Sequence, residues 1–225
     1  MMMFEYFVFD MDGTLVDTTD GIIASLQLMQ KEMQLRDLPE ETLRKFIGPP
    51  LKESFMKYYG VGLDETDCMT DVYRNCYMRV GIDRTHVFEG TIALLEAIRA
   101  AGCKCAIATL KQHQLASLTL KHTGIDALVD YVALNLDNSL GDKAKMIQEC
   151  LDAIGCTDKS KAVMIGDSPY DGKAAGEAGV SFIPLASGEG FRNPGSLAAM
   201  PCAAIAQDSL QLKQIICKMV QNRGD

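Results

Sequence analysis

Apolar and polar positions change their spacing twice along the chain, and those changes outline the fold. From Glu5 to Asp10 a short apolar run ends in a carboxylate, the pattern of a buried strand. After Asp12-Gly13-Thr14 the period lengthens. Ile22, Leu26, Met29 and Met33 recur at gaps of four, three and four, which predicts an amphipathic helix. Pro39 stands where a next helix would begin, with Glu40 and Glu41 in its first turn, and Gly48-Pro49-Pro50 breaks it. Two further helical stretches are expected over about 51–59 and 64–79, so residues 17–86 read as all-helical, without a strand.

Beyond Phe88 the pattern alternates. Helices are expected at 91–101, 112–122, 142–154, 170–178 and 209–222, and strands at 103–109, 128–133, 161–165, 180–183 and 202–206. Gly102, Gly124, Gly155 and Gly179 stand where helices should stop. Strands alternating with helices predict a parallel sheet covered on both faces. The chain is therefore expected to form an α/β core from residues 1–16 and 87–225, with 17–86 as an inserted helical domain.

With 225 residues, 48 % of them hydrophobic, the chain is large enough to bury a substantial core. No apolar run approaches the roughly 20 residues needed to cross a bilayer, and Met1 to Phe9 lacks the basic start and small-residue cleavage site of a signal peptide. A cytoplasmic protein with no membrane partner is the expectation. The formal net charge of −8 would repel a phosphate backbone, so no nucleic-acid polymer is expected as a partner. The same charge would repel a small phosphorylated substrate, which calls for a bound divalent cation or a local basic cluster. None of the eight cysteines forms a C-x-x-C pair, and no histidine lies at metal-ligand spacing from one, so reduced and mostly buried thiols are expected. Cys103 and Cys105, two apart on a strand, should share one face.

Ligands in open parallel sheets bind outside the carboxyl ends of the strands. The first strand ends in Asp10 and runs on to Asp12, and the strand over 103–108 ends in Thr109, with Lys111 two residues beyond. Lys143 opens a helix, and the strand over 161–165 runs into Gly166-Asp167, with Asp171 one helical turn later. Carboxylates converging on one edge repel one another unless a cation neutralises them, and hard oxygen ligands suit magnesium. Lys111 and Lys143 offer local positive charge. A carboxylate can attack phosphorus while a second one, two residues on, gives a proton to the leaving alkoxide and later takes one from water. Each position also has a plainer reading: Thr109 as a helix cap, Asp171 as a favourable charge in a first turn, Lys111 as a solvated lysine.

These residues carry a resemblance. Phe9-Asp10-Met11-Asp12-Gly13-Thr14-Leu15-Val16-Asp17 resembles the opening motif of the haloacid dehalogenase-like hydrolases. Thr109 in Ile107-Ala108-Thr109-Leu110-Lys111 is similar to their second motif, and Lys143 in Gly141-Asp142-Lys143-Ala144-Lys145-Met146-Ile147 to their third. Ile165-Gly166-Asp167-Ser168-Pro169-Tyr170-Asp171 resembles the fourth. The order agrees over nearly the whole chain, and Ile47-Gly48-Pro49-Pro50-Leu51 resembles the phosphoglycolate phosphatase-like branch, whose helical cap follows the first motif. The resemblance implies a Rossmann-like parallel sheet with an inserted all-helical cap. It implies Asp10 as nucleophile and magnesium ligand, and Asp12 as acid/base that also binds magnesium through its main-chain carbonyl. Thr109 and Lys143 would bind the phosphoryl group, Asp167 would be a metal ligand, and Asp171 would support the metal site. Many relatives have Lys-Pro in the third motif where this chain has Lys143-Ala144, which leaves Lys145 as a competing phosphate contact. Lys52, just after Pro50-Leu51, is a candidate substrate contact from the cap, or simply a solvated lysine.

The function expected from these features is magnesium-dependent hydrolysis of a small phosphorylated metabolite through a phosphoaspartate, with phosphoglycolate or a nucleoside monophosphate as substrate. A phosphomutase of the β-phosphoglucomutase type shares the fold and the intermediate, but Asp17-Thr18-Thr19-Asp20-Gly21 does not suggest its sugar-handling cap. A non-catalytic phosphoaspartate or binding protein is the third reading, and the full set of acidic residues speaks against it.

Overall fold

The computed structural model describes residues 4–136, 142–187, 191, 197 and 200–221. Gly141 of the third motif and Asn222, at the far end of the expected last helix, lie outside the described residues. In chain order the elements are β1 (Tyr6–Phe9), β2 (Val16–Asp17), α1 (Thr19–Glu32), α2 (Glu40–Leu43), α3 (Leu51–Tyr59), α4 (Leu63–Cys76), β3 (His86–Val87) and α5 (Thr91–Ala100). They continue with β4 (Lys104–Gln112), α6 (His113–Thr123), β5 (Tyr131–Asn135), α7 (Lys143–Ala153), β6 (Ala162–Gly166), α8 (Pro169–Ala178), β7 (Ser181–Pro184) and α9 (Ser209–Gln221). The chain divides into two compact units, Met1–Asp17 with Val87–Asp225, and Thr18–His86.

The first unit is the expected α/β fold. Five strands form one sheet in the order β5-β4-β1-β6-β7, every neighbouring pair parallel. Alternation along each strand sorts its side chains into two layers. Phe7, Phe9, Cys105, Ile107, Val163 and Ile165 join a core with Leu94, Leu95 and Ile98 of α5, Ala116 and Leu120 of α6, and Leu212 and Ile216 of α9. Val8, Ala106, Ala108, Ala162 and Met164 join the opposite core with Met146 and Ile147 of α7 and Ala174, Ala175 and Ala178 of α8. Buried apolar side chains of this size contribute about 1.5–3 kcal/mol each before chain entropy is counted, so the two layers are what hold β1 at the centre. All eight cysteines are free thiols, and Cys103 and Cys105 face the same layer.

Several boundaries differ from the spacing-based expectation, each for a local reason. β4 runs on to Gln112 through a register irregularity after Thr109. A 3-10 turn over Ile125–Leu128 delays β5, which then continues to Asn135. The expected strand over 202–206 reduces to one bridge between Leu185 and Ala206, because the alternation there includes too few residues facing a core. Two-residue strands, β2 and β3, form a separate small sheet at the ends of the insertion.

The second unit is helical. The buried face of α1 carries Gly21, Ile23, Ser25, Leu26, Met29 and Gln30, turned from the expected Ile22–Met33 stripe. The cause is a close crossing: α4 continues into a π-helical turn, Tyr77–Gly81, and a Cβ on Gly21 would stand 3.2 Å from the Gly81 carbonyl carbon. Only a glycine admits that approach. Among the described residues no helix is long and apolar enough to cross a membrane.

Candidate active site

Three neighbouring strands of the sheet, β4, β1 and β6, deliver Thr109, Asp10 and Asp167 to one edge. The Asp10 amide donates to the Ile165 carbonyl at 2.8 Å, so the ladder between β1 and β6 continues one residue past β1 and fixes where the Asp10 side chain starts. Lys143 is the first residue of α7. The N-cap carboxylate of Asp142 accepts the amides of Ala144 and Lys145 at 3.1 and 3.2 Å, which secures the helix start just where Lys143 projects.

At the centre the Lys143 ammonium pairs with Asp10 and stands 3.0 Å from Asp171 Oδ1. All three residues are buried, as are Thr109 and Asp167. Asp171 is held from its other side: Ser168 Oγ donates to its Oδ2 at 2.6 Å and the Ser168 amide at 3.2 Å. Ser168 and Asp171 thus form the capping box of α8, with Pro169 in the first turn. Gly166 leaves room for this, since a Cβ there would lie 2.5 Å from that of Asp171.

Asp10, Asp167 and Asp171 each present an oxygen within 4.8 Å of the others, a group able to hold a metal ion. Their electrostatics point the same way. Burial pushes the Asp10 carboxyl up to about 7; Lys143 opposes this, and the charges of Asp171 and Asp12 add to it. Burial, then the charges of Asp10 and Asp171, push Asp167 up to about 8 against the pull of Lys143. Burial also works against the Lys143 charge, yet Asp10 and Asp171 outweigh it and its pKa rises. One lysine does not neutralise three buried carboxylates, and the remaining deficit, surrounded by hard oxygens, suits a divalent cation.

Asp12 is arranged differently. Its carboxylate is gripped by the Lys111 ammonium, 3.1 Å from Oδ1 and 3.2 Å from Oδ2. Thr109 does not cap α6; Gln112 does, accepting the Leu115 amide. Instead Thr109 Oγ1 accepts the Lys111 amide at 3.2 Å. Lys145 is 85 % exposed and pairs with Asp142 at 3.4 Å, so the structure brings Lys143, and not Lys145, to Asp10. Lys52 lies on α3 in the second unit, half exposed, paired with Asp67 of α4. Spacing did not single out Asn135 or Ser168. Asn135 ends β5, buried, and donates from Nδ2 to the Leu110 carbonyl at 3.2 Å. Continuing the alternation from Ala133 would have found it.

The chain is similar to known proteins over most of its length. The family model described as haloacid dehalogenase-like hydrolase matches residues 7–185. A 5'-nucleotidase of Pseudomonas aeruginosa is 31 % identical over 93 % of this chain and 94 % of its own. The pyrophosphatase PpaX of Bacillus velezensis is 33 % identical over 80 % of this chain and 82 % of its own. A solved haloacid dehalogenase-like family hydrolase from Streptococcus pneumoniae superposes with a TM-score of 0.82 at 27 % identity, covering 94 % of this chain and 98 % of that one.

Proposed function

This chain belongs to the haloacid dehalogenase-like hydrolases, and we propose that within them it is a magnesium-dependent phosphatase acting on a small phosphate monoester through a phosphorylated Asp10. The observation that carries the reading is that two carboxylates two residues apart have different partners. Asp10 sits in the cluster with Lys143, Asp167 and Asp171, while the Asp12 carboxylate pairs with Lys111.

In this reading Asp10, Asp167 and the main-chain carbonyl of Asp12 would hold magnesium, with Asp171 supporting the site. The ion, when bound, supplies positive charge against the phosphoryl oxygens and the three carboxylates. A carboxylate oxygen of Asp10 attacks phosphorus, and the bond to the ester oxygen breaks. Asp12 gives its proton to the departing alkoxide. It then takes a proton from the water that attacks the aspartyl phosphate, which frees inorganic phosphate and restores Asp10. Lys143 and Thr109 bind phosphoryl oxygens and orient the group for in-line attack. The helical unit serves as a cap that excludes water and supplies specificity, with Lys52 as a contact to the substrate.

For the substrate we favour a nucleoside 5'-monophosphate, in keeping with the relative named a 5'-nucleotidase, with phosphoglycolate as the other candidate. A phosphate-release screen over phosphorylated metabolites, with and without magnesium, tests this. Release should require magnesium, and Asp10→Asn should abolish it with the fold intact. Full activity in that variant, or conversion of glucose 1-phosphate to glucose 6-phosphate without phosphate release, would overturn the proposal.

A further inference from the structure

Asp12 lies two residues from Asp10, near enough for its charge to be felt there. A hard cation held by Asp10, Asp167 and the main-chain carbonyl of Asp12 would draw in any free carboxylate of that kind. Such a ligated Asp12 would be lost to proton transfer. We infer that Lys111 is a positioning residue, whose ammonium grips both carboxylate oxygens of Asp12 and so holds that carboxylate out of the cation cluster. The inference rests on the acid/base part assigned to Asp12 above.

The backbone is shaped to place this ammonium. β4 pairs with β5 at Thr109–Leu134 and next at Gln112–Asn135, so Leu110 and Lys111 together oppose a single step of the partner strand. Such a register shift, like a bulge, re-aims side chains. Two buried polar side chains pin it: Thr109 Oγ1 accepts the Lys111 amide, and Asn135 Nδ2 donates to the Leu110 carbonyl. The result sends Leu110 outward, 40 % exposed, and the Lys111 side chain inward, 10 % exposed, onto Asp12. A lysine serving only solubility would not be aimed by a register shift, nor meet both oxygens of one carboxylate.

The test is a double-mutant cycle on the full chain, read by manganese binding in electron paramagnetic resonance at one fixed pH. Loss of the Lys111 charge alone would tighten cation binding a little in any background. If Lys111 restrains Asp12, Lys111→Met should tighten manganese binding about tenfold more when Asp12 is present than in the Asp12→Asn background. Equal tightening in both backgrounds, or none, overturns the inference. The cycle needs no turnover, so it is decided even if no phosphate ester proves to be a substrate and the proposed function fails. With a substrate in hand, Lys111→Met should lower kcat about 10–100-fold with KM nearly unchanged, and Lys111→Arg should recover part of the loss. A raised KM at unchanged kcat would instead make Lys111 a direct phosphate contact and refute the positioning assignment. If Lys111→Met does not fold, Lys111→Gln carries the same cycle.

Discussion

Gly13 passes so close to Asp167 that a Cβ on it would stand 2.7 Å from the carboxyl carbon. The glycine also holds φ at +81°, a conformation that side chains disfavour. Gly13→Ala should therefore cost about 1–3 kcal/mol through backbone strain and push the Asp167 carboxylate off its place. Denaturant unfolding together with a manganese titration checks both effects. An alanine variant with wild-type stability and wild-type cation affinity would show the contact to be slack.

The raised carboxyls give the cation-free protein a defined pH response. An ordinary aspartate carboxyl titrates near 3.8, whereas in the folded chain Asp10 is pushed up to about 7 and Asp167 to about 8. Between those limits the folded state holds protons that the unfolded chain has released, so stability falls as pH rises through the window. Asp167→Asn removes one of these protons from the balance. Without divalent cations, the wild type should thus lose stability relative to Asp167→Asn between about pH 5 and 8, followed by thermal unfolding. Magnesium should reduce the loss, since it replaces the protons on the same oxygens and releases them on binding.

Lys143 and Lys145 should separate sharply. Lys143→Met leaves Asp10 and Asp171 buried without their shared ammonium, at about 3–5 kcal/mol in the cation-free protein. Phosphate release should fall by about 100-fold or more, as for other lost charge-stabilising donors. Lys145 is exposed and, among the described residues, pairs with Asp142 at 3.4 Å, so Lys145→Met should keep activity within about twofold. Steady-state phosphate release by the two variants decides the assignment.

Ser168 acts on the site through Asp171. Ser168→Ala deletes the hydroxyl that donates to Asp171 Oδ2 at 2.6 Å and caps α8. We expect about 1 kcal/mol of lost stability from the cap, and about tenfold weaker cation binding from the loosened carboxylate. Threonine, which keeps the hydroxyl, should restore most of both.

Strand ends were readable from the sequence because a buried parallel strand is a short apolar run, and the polar residue that stops it marks the edge. Asp10 and Asp167 announce themselves that way, whereas β4 runs on past Thr109 to Gln112. Less visible was whatever depends on a strand departing from regularity. The register shift after Thr109 decides that Lys111 turns inward, yet extra residues in one strand leave no periodic signal to count. Likewise the face of α1 is set by the crossing of Gly21 and Gly81, two residues with no hydrophobic signal to count. Pairings such as Lys111 with Asp12 join residues distant in sequence and leave no local period at all.

The central place of β1 has a consequence for how the molecule comes into being. Tyr6 is in register with Lys104 on one side and Ala162 on the other. β1 leaves the ribosome before β4 and β6, the two neighbours that complete its ladder. Asp10 is therefore made well before Lys143, Asp167 and Asp171, and its cluster cannot assemble until synthesis has passed β6. The timing of its assembly is written into the order of its strands.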